Sequence, residues 1–285
     1  MGGDGASPSI QLPDKPLVTV EATKPWAPLD LRSLWTHREL MYFLVWRDLK
    51  VRYRQTFIGV AWAVLQPLAM VIAFSLVLGF LIRVDTGGVP YPLFVYSGLL
   101  VWTFFSGAVT NSSDSMVASA NLITKVYFPR LIIPIAAVGG RLVDLAIASV
   151  ILIGMAIWYG VSITVGLLMV PVLVALVTML SLGIGIWSSA VNVKYRDVAV
   201  VVPVVLQIWM YASPIIYPIT LIPAEWRWLY SLNPMVGVVE NFRAAVLGLP
   251  FDWPALGISV LVALAVLAYA VYAFRRVEQG FADII

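Results

Sequence analysis

The sequence has no cysteine, and His37 is the single histidine among its 285 residues. The first absence removes a disulfide framework, a thiolate metal site and a cysteine nucleophile. The second, with His37 in the polar N-terminal region, removes a histidine-built metal site or a His-centred triad inside an apolar core. Charge is scarce too: Asp, Glu, Lys and Arg make up 12% of the chain against 61% hydrophobic residues. The mean hydropathy of +0.93 lies far outside the soluble globular range. No G-x-x-x-x-G-K-[ST] phosphate loop occurs, so ATP hydrolysis would need another polypeptide. Acidic residues are nearly missing from the apolar runs, which argues against a carrier that binds its coupling ion at buried carboxylates.

What is present is a series of apolar runs at about 57–82, 92–110, 131–158, 164–190, 198–217 and 254–274. Each is near or above the ~20 residues that cross a ~30 Å hydrocarbon core as a helix. They lack the alternation of a membrane barrel. The expected fold is an all-α integral membrane protein with six transmembrane helices. Residues 1–30, with Pro8, Pro13, Pro16, Pro25 and Pro28 and no apolar signal region, read as a flexible cytoplasmic tail ahead of a membrane domain at 31–285. Over 34–54, Tyr42, Val45, Trp46, Leu49 and Tyr53 recur at helical spacing opposite Arg47, Lys50 and Arg54. That pattern predicts an amphipathic helix in the membrane interface, with a solvated charged face as the plainer alternative. Cations flank the first span at Arg32 to Arg54, then recur at Lys125, Arg130, Lys194, Arg196, Arg275 and Arg276. All fall on one side, which the positive-inside rule makes cytoplasmic, with both termini there. The stretch 218–253 is apolar but broken by Glu225, Arg227, Glu240 and Arg243. With Asn233 as N-cap, Pro234 at the first helical position and Gly248 as a stop, it predicts a re-entrant helical hairpin before the last span.

Three constellations carry candidate chemistry. Arg141 and Asp144 stand one turn apart deep in the third span; they read as a self-neutralising pair that fixes packing, or as groups serving substrate passage. The loop "NSSDSMVASANLITKVYFPR" at 111–130 places Met116, Ala120, Ile123 and Tyr127 at helical spacing with Lys125 elsewhere. It predicts a short amphipathic helix that either docks a soluble partner or rests on lipid. Aromatic residues crowd the spans, among them Trp62, Trp102, Phe105, Trp209 and Tyr217. Most such rings belong to interface belts or core. Trp102 with Phe105, and Tyr53 with Phe57, share helical faces and would suit stacking against a sugar polymer.

Four stretches in order, "RDLKVRYRQTFIGVAWAVLQPL" at 47–68, "NLITKVYFPRLIIP" at 121–134, "NVKYRDV" at 192–198 and "NPMVGVVENFR" at 233–243, resemble the membrane subunit of ABC-2 type polysaccharide exporters. The resemblance runs from about residue 35 to the end and leaves the proline-rich tail outside. It implies a half-transporter in the inner membrane: two copies of this chain paired, and two copies of a separate ATPase that binds ATP and magnesium. It also implies a lipid-linked polysaccharide as substrate, with O-antigen favoured over capsule and teichoic acid. The ATPase would couple through Asn121, Leu122, Lys125, Tyr127 and Phe128. A pyrophosphate-linked lipid would arrive at Arg47, Lys50, Arg52 and Arg54. The glycan would pass Tyr53, Phe57, Trp62, Trp102, Phe105, Trp209 and Tyr217. No cofactor, metal or nucleic acid is expected on the chain itself. The alternatives are a drug or small-lipid permease of the same type, an ion-coupled transporter, and an intramembrane enzyme. The last would want acidic, metal-binding loops where this chain has basic ones.

Overall fold

The computed structural model describes residues 31–54, 61–126 and 128–278, so the tail expected at 1–30 lies outside the described residues. Every regular element among them is helical. In chain order they are α1 (Leu31–Thr36), α2 (Arg38–Arg54), α3 (Trp62–Phe74), α4 (Tyr91–Ala118), α5 (Ala120–Ile123), α6 (Ile132–Trp158), α7 (Val170–Lys194), α8 (Val198–Tyr211), α9 (Ala224–Tyr230), α10 (Pro234–Leu247) and α11 (Trp253–Glu278). A wider π turn, Ser75–Leu81, prolongs α3, and a 3-10 turn, Val165–Met169, leads into α7.

Five helical stretches are long and apolar enough to cross a membrane: Val64–Leu81, Tyr91–Ala118, Ile132–Trp158, Val165–Lys194 and Trp253–Glu278. α4 is the axis of the bundle. It packs against α3, α6, α7, α8 and α10, and 78% of its apolar window is buried against 11–33% for the other four stretches. The outer helices leave large apolar side chains such as Val150, Ile153 and Ile157 uncovered, as lipid solvent allows. Close approach is built in where α10 meets α11: a Cβ on Gly237 would collide with the Ala255 carbonyl.

Four expectations need correction. The run at 198–217 yields a helix of 14 residues that stops at Tyr211, about 21 Å at 1.5 Å per residue and short of a full crossing. The second span does not end near 110 but continues to Ala118. Its late polar residues fit because Ser112, Ser113 and Ser115 are buried in the bundle, and Ser115 Oγ donates back to the Ser112 carbonyl. The helix expected to include Met116 is therefore the end of α4 plus the single turn α5, separated at Ser119. The N-terminal helix is divided at Thr36 to Arg38, and the side of α2 that packs on α6 is centred on Leu44, 1% exposed, while Tyr42 and Trp46 point away at 65% and 46%. Neighbouring α6 selects the Leu40, Met41, Leu44 and Val45 edge because those side chains join a smaller core with Ile132, Ile133 and Phe274.

The short elements after Tyr211 form as the turn residues direct. Asn233 caps α10 by accepting from the Met235 N–H at 3.0 Å, Pro234 follows it, and Gly248 ends the helix in the left-handed region at φ 69°. Just past α8 the chain is non-helical yet buried from Ser213 to Ile216, with Ser213 and Ile215 both at 0% exposure. Its carbonyls are taken by side chains. Arg243 donates to Pro214 O at 2.6 Å and Ile215 O at 2.5 Å, Tyr91 to Ile216 O at 2.7 Å, and Asn233 to Ala212 O at 3.2 Å. Arg243 also donates to Phe94 O at 3.2 Å, meets Glu240 at 2.9 Å and lies 3.7 Å over the Phe94 ring. A side chain on Gly98 would not fit, since its Cβ would stand 2.5 Å from the Arg243 Nη2.

Arg243→Leu would leave the Pro214 and Ile215 carbonyls and Glu240 without their donor, at about 1–3 kcal/mol for each group left unpaired. Detergent-stable yield and thermal midpoint should fall steeply. Arg243→Lys, which reaches fewer of the carbonyls, should fall between Leu and wild type in the same melting experiment.

Candidate functional site

Charged groups of α2 and α6 converge on Asp144 of α6. Arg52 Nη1 of α2 donates to its Oδ2 at 2.5 Å, and the Tyr53 hydroxyl donates to its Oδ1. Arg141, one turn earlier on α6, donates to the same Oδ2 at 3.3 Å and, through Nη2, to Asn111 Oδ1 of α4 at 2.9 Å. The guanidinium of Arg141 lies on Gly107, whose missing Cβ would stand 3.0 Å from Cζ. Burial first, and the neighbouring carboxylate second, push the Tyr53 phenol up to about 12, so at neutral pH it is a donor. A cavity of about 170 Å³ lined by Gln66, Thr103, Ser106, Arg141 and Asp144 adjoins this cluster. The pair read from sequence is thus part of a five-residue arrangement across α2, α4 and α6.

This arrangement changes the reading of Arg52. Placed in the sequence with the headgroup cations, it is engaged with Asp144 and its side chain is 26% exposed. Arg47 pairs with Asp48 at 2.9 Å and reaches toward Ser119, while exposed Lys50 lies 5.8 Å over the Trp46 ring. Arg47, Asp48 and Arg52 line a groove of about 510 Å³ between α2 and the ends of α4 and α6, together with Asn111, Asp114 and Ser115. The side chains of Arg54 and Trp62, and Phe57 and Tyr127 altogether, lie outside the described residues.

At the same end, Asn121 and Lys125 are exposed and Leu122 is half-buried. Phe128 is not available on that surface: at 6% exposure it packs into the smaller core with Leu44, Met116, Ile123 and Ile132. The ring faces expected to meet a glycan are also corrected. Trp102 and Phe105 are 4% and 0% exposed. Their rings close on one another at 5.4 Å and on Trp209 at 6.4 and 5.3 Å, so they are core. The runs around them are apolar on every side, and a shared helical face could not tell core from conduit. Trp209 stays half-buried, donating to Asn233 Oδ1 at 2.9 Å, and borders an apolar cavity of about 600 Å³ with Trp226, Tyr230 and Pro234. Tyr217 bonds Tyr230 at 2.8 Å.

Sequence reasoning missed Asn111 as a partner of Arg141, and read Glu240 and Arg243 only as interruptions of an apolar run. Asn233 was legible as a cap but not as the acceptor for Trp209. A signal existed for three of these: Asn233, Glu240 and Arg243 stand together in "NPMVGVVENFR". No group of three or more metal-ligating side chains occurs among the described residues.

Fold and charges together define a multi-pass α-helical membrane protein with a carboxylate-centred charge cluster between α2 and α6. The chain belongs to the ABC-2 type transporter family, whose description matches residues 39–247. This bears out the resemblance carried by the four stretches. It is 30% identical over 253 residues to the O-antigen export system permease protein RfbA of Myxococcus xanthus, covering 87% of this chain and 96% of that one. Similarity to RfbA of Klebsiella pneumoniae is 25% over 248 residues, covering 87% and 95%. Similarity to the polysialic acid transport protein KpsM of Escherichia coli is 28% over 208 residues, covering 70% and 78%.

The two partners of the Arg141–Asp144 contact differ in what their removal leaves behind. Asp144→Ala strands the Arg141 guanidinium, and an uncompensated charge in the apolar core costs about 2.5–3.5 kcal/mol. Arg141→Ala leaves Asp144 with Arg52 and Tyr53. Detergent-stable yield should therefore drop clearly for Asp144→Ala and much less for Arg141→Ala. Equal losses would mean that Arg52 does not support the carboxylate.

Proposed function

We propose that the chain is the permease subunit of an ABC exporter that carries a lipid-linked polysaccharide, O-antigen, across the inner membrane. The observation that carries this reading is the end-to-end similarity to the Myxococcus xanthus RfbA permease, 30% over 96% of its length. Capsule export is the second reading, favoured by the KpsM similarity, but that similarity reaches only 70% of this chain. ATP and magnesium belong to a separate ATPase, a reading supported by the lack of a phosphate loop in this sequence. Two copies of each subunit form the working unit.

In this reading the cationic end faces the cytoplasm with both termini, and α1 with α2 lies along the interface, Tyr42 and Trp46 toward lipid. Helix α8 and the stretch that follows it through Ile216 complete a sixth crossing. Helices α9 and α10 form the re-entrant unit on the outer side. The ATPase docks at α5 and the exposed Asn121 and Lys125. The pyrophosphate headgroup approaches Lys50 and Arg47, and ring contacts to the glycan fall to Trp209, Trp226 and Tyr230, which the core leaves partly uncovered.

Deleting the gene should abolish surface O-antigen while its lipid-linked precursor accumulates inside, and the purified chain alone should hydrolyse no ATP. Leu122→Asp with Lys125→Glu should cut co-purification of the ATPase severalfold without lowering membrane insertion. In intact cells, an impermeant thiol reagent should label a cysteine introduced at 226 and spare one at 194. Unchanged surface glycan in the deletion strain would overturn the assignment of cargo.

A further inference from the structure

The contact between α2 and α6 differs from an ordinary ion pair in one respect: two guanidiniums compete for a single carboxylate oxygen. Arg52 holds Asp144 Oδ2 at 2.5 Å from α2, and Arg141 holds it at 3.3 Å from α6, the helix of Asp144 itself. The α2 side has a second grip through the Tyr53 hydroxyl on Oδ1. A fully buried pair with no substitute partner resists separation, because either ion would be left uncompensated. An exposed pair is too weak to transmit anything. Asp144 avoids both limits.

We infer that Asp144 is a positioning residue for transport: a releasable latch by which the N-terminal cationic helix α2 is coupled to the helical core. When α2 withdraws, Asp144 closes on Arg141 and keeps a counter-charge. Arg52, with its side chain 26% exposed, passes to water or headgroups. The adjoining cavity of about 170 Å³ gives the exchanging groups polar surroundings in Gln66, Thr103 and Ser106. Arg141 also holds Asn111 of α4 at 2.9 Å and lies against Gly107 of the same helix. A shift of the carboxylate toward Arg141 therefore acts directly on the most buried helix of the bundle. The relay runs from α2 to α6 to α4 through side chains in contact, with two arrangements of one carboxylate as its two states.

The inference rests on the transporter reading, and the test separates them. The chain is free of cysteine, so Phe43→Cys and Val150→Cys, at positions 64% and 67% exposed, accept spin labels without background. In the reconstituted complex with its ATPase, the label distance should shift between the nucleotide-free and nucleotide-trapped states. In Arg52→Gln with Tyr53→Phe that shift should vanish. The same variant should fold and assemble normally and still hydrolyse ATP, while polymer export falls roughly 2- to 30-fold, the range such coupling energies produce. Arg52→Lys, which keeps a charged donor, should recover most of the export. Wild-type export by Arg52→Gln with Tyr53→Phe would overturn the latch. So would a parallel fall of yield and export in both that variant and Arg52→Lys, or a wild-type label distance indifferent to nucleotide. A nucleotide-dependent shift that the variant abolishes, in a wild-type complex that exports no glycan, would support the latch and count against the polysaccharide reading.

Discussion

Just past α8, Ser213, Pro214, Ile215 and Ile216 are buried outside any helix, and membrane proteins tolerate such backbone only where other groups satisfy it. Here that requirement is met almost entirely by side chains from three other places in the sequence. Arg243 takes the carbonyls of Pro214 and Ile215, Tyr91 takes Ile216, and Asn233 takes Ala212. The consequences extend beyond the break. Because Arg243 also reaches Phe94 O near the start of α4, it fixes α10 against the central helix. Because α10 is fixed, α11 can approach closely enough that Gly237 admits no side chain beside Ala255. Asn241 extends the same fastening by donating to Asp252 O and accepting from the Asp252 N–H, both at 3.0 Å. The loop before α11 is held by the helix it follows.

The central helix receives two arginines in the same manner and to different ends. Arg243 lies on Gly98 and Arg141 on Gly107, each where a Cβ would intrude, and each has an acidic residue one turn away on its own helix. Arg243 is 1% exposed and saturated with backbone acceptors. Moving it would strip several carbonyls at once, so it is a fixed fastener. Arg141 has side-chain acceptors only, in Asn111 and Asp144, and its Nε is buried with none. Asp144 has a rival partner in Arg52. The difference between a lock and a latch lies in the acceptors, since backbone carbonyls cannot rearrange without unfolding and a carboxylate shared by two cations can.

Legibility in the sequence followed the range of the interactions. The long spans were readable because uninterrupted apolar runs of helical length admit few other structures, and the ends of α10 because Asn233, Pro234 and Gly248 act on their own neighbours. The early stop of α8 was not, because its one local mark, Pro214 three residues past Tyr211, sits within an unbroken apolar run. The run stays apolar through Ile216, and the groups that stabilise the unwound stretch lie at 91, 233 and 243. The same holds for the end of α4, where "NSSDS" looks like a loop until Ser112, Ser113 and Asn192 are found packed together, Asn192 donating to Ser113 O at 3.0 Å. Arg141 and Asp144 were visible as an i,i+3 pair. The closer partner, Arg52, is 92 residues away and was grouped instead with the headgroup cations.

The apolar surface clarifies why polar contacts carry so much of this architecture. Trp158 at 85%, Ile163 at 90% and Leu168 at 76% exposure would be aggregation liabilities in water, but lipid chains are as apolar as those side chains. Burying them against another helix therefore gains little, and the helices must associate through close packing and hydrogen bonds. Small and polar residues are placed accordingly: Ser181, Gly183, Gly185, Ser188, Ser189 and Asn192 are buried along α7, and a Cβ on Gly183 would stand 2.9 Å from the backbone N of Leu267 on α11. Sequence-distant polar groups, rather than hydrophobic volume, thus determine which helices sit together. That places Asp144 and Arg243, two of the few charges within the described bundle, at the contacts where a change of one atom type alters the arrangement of three helices.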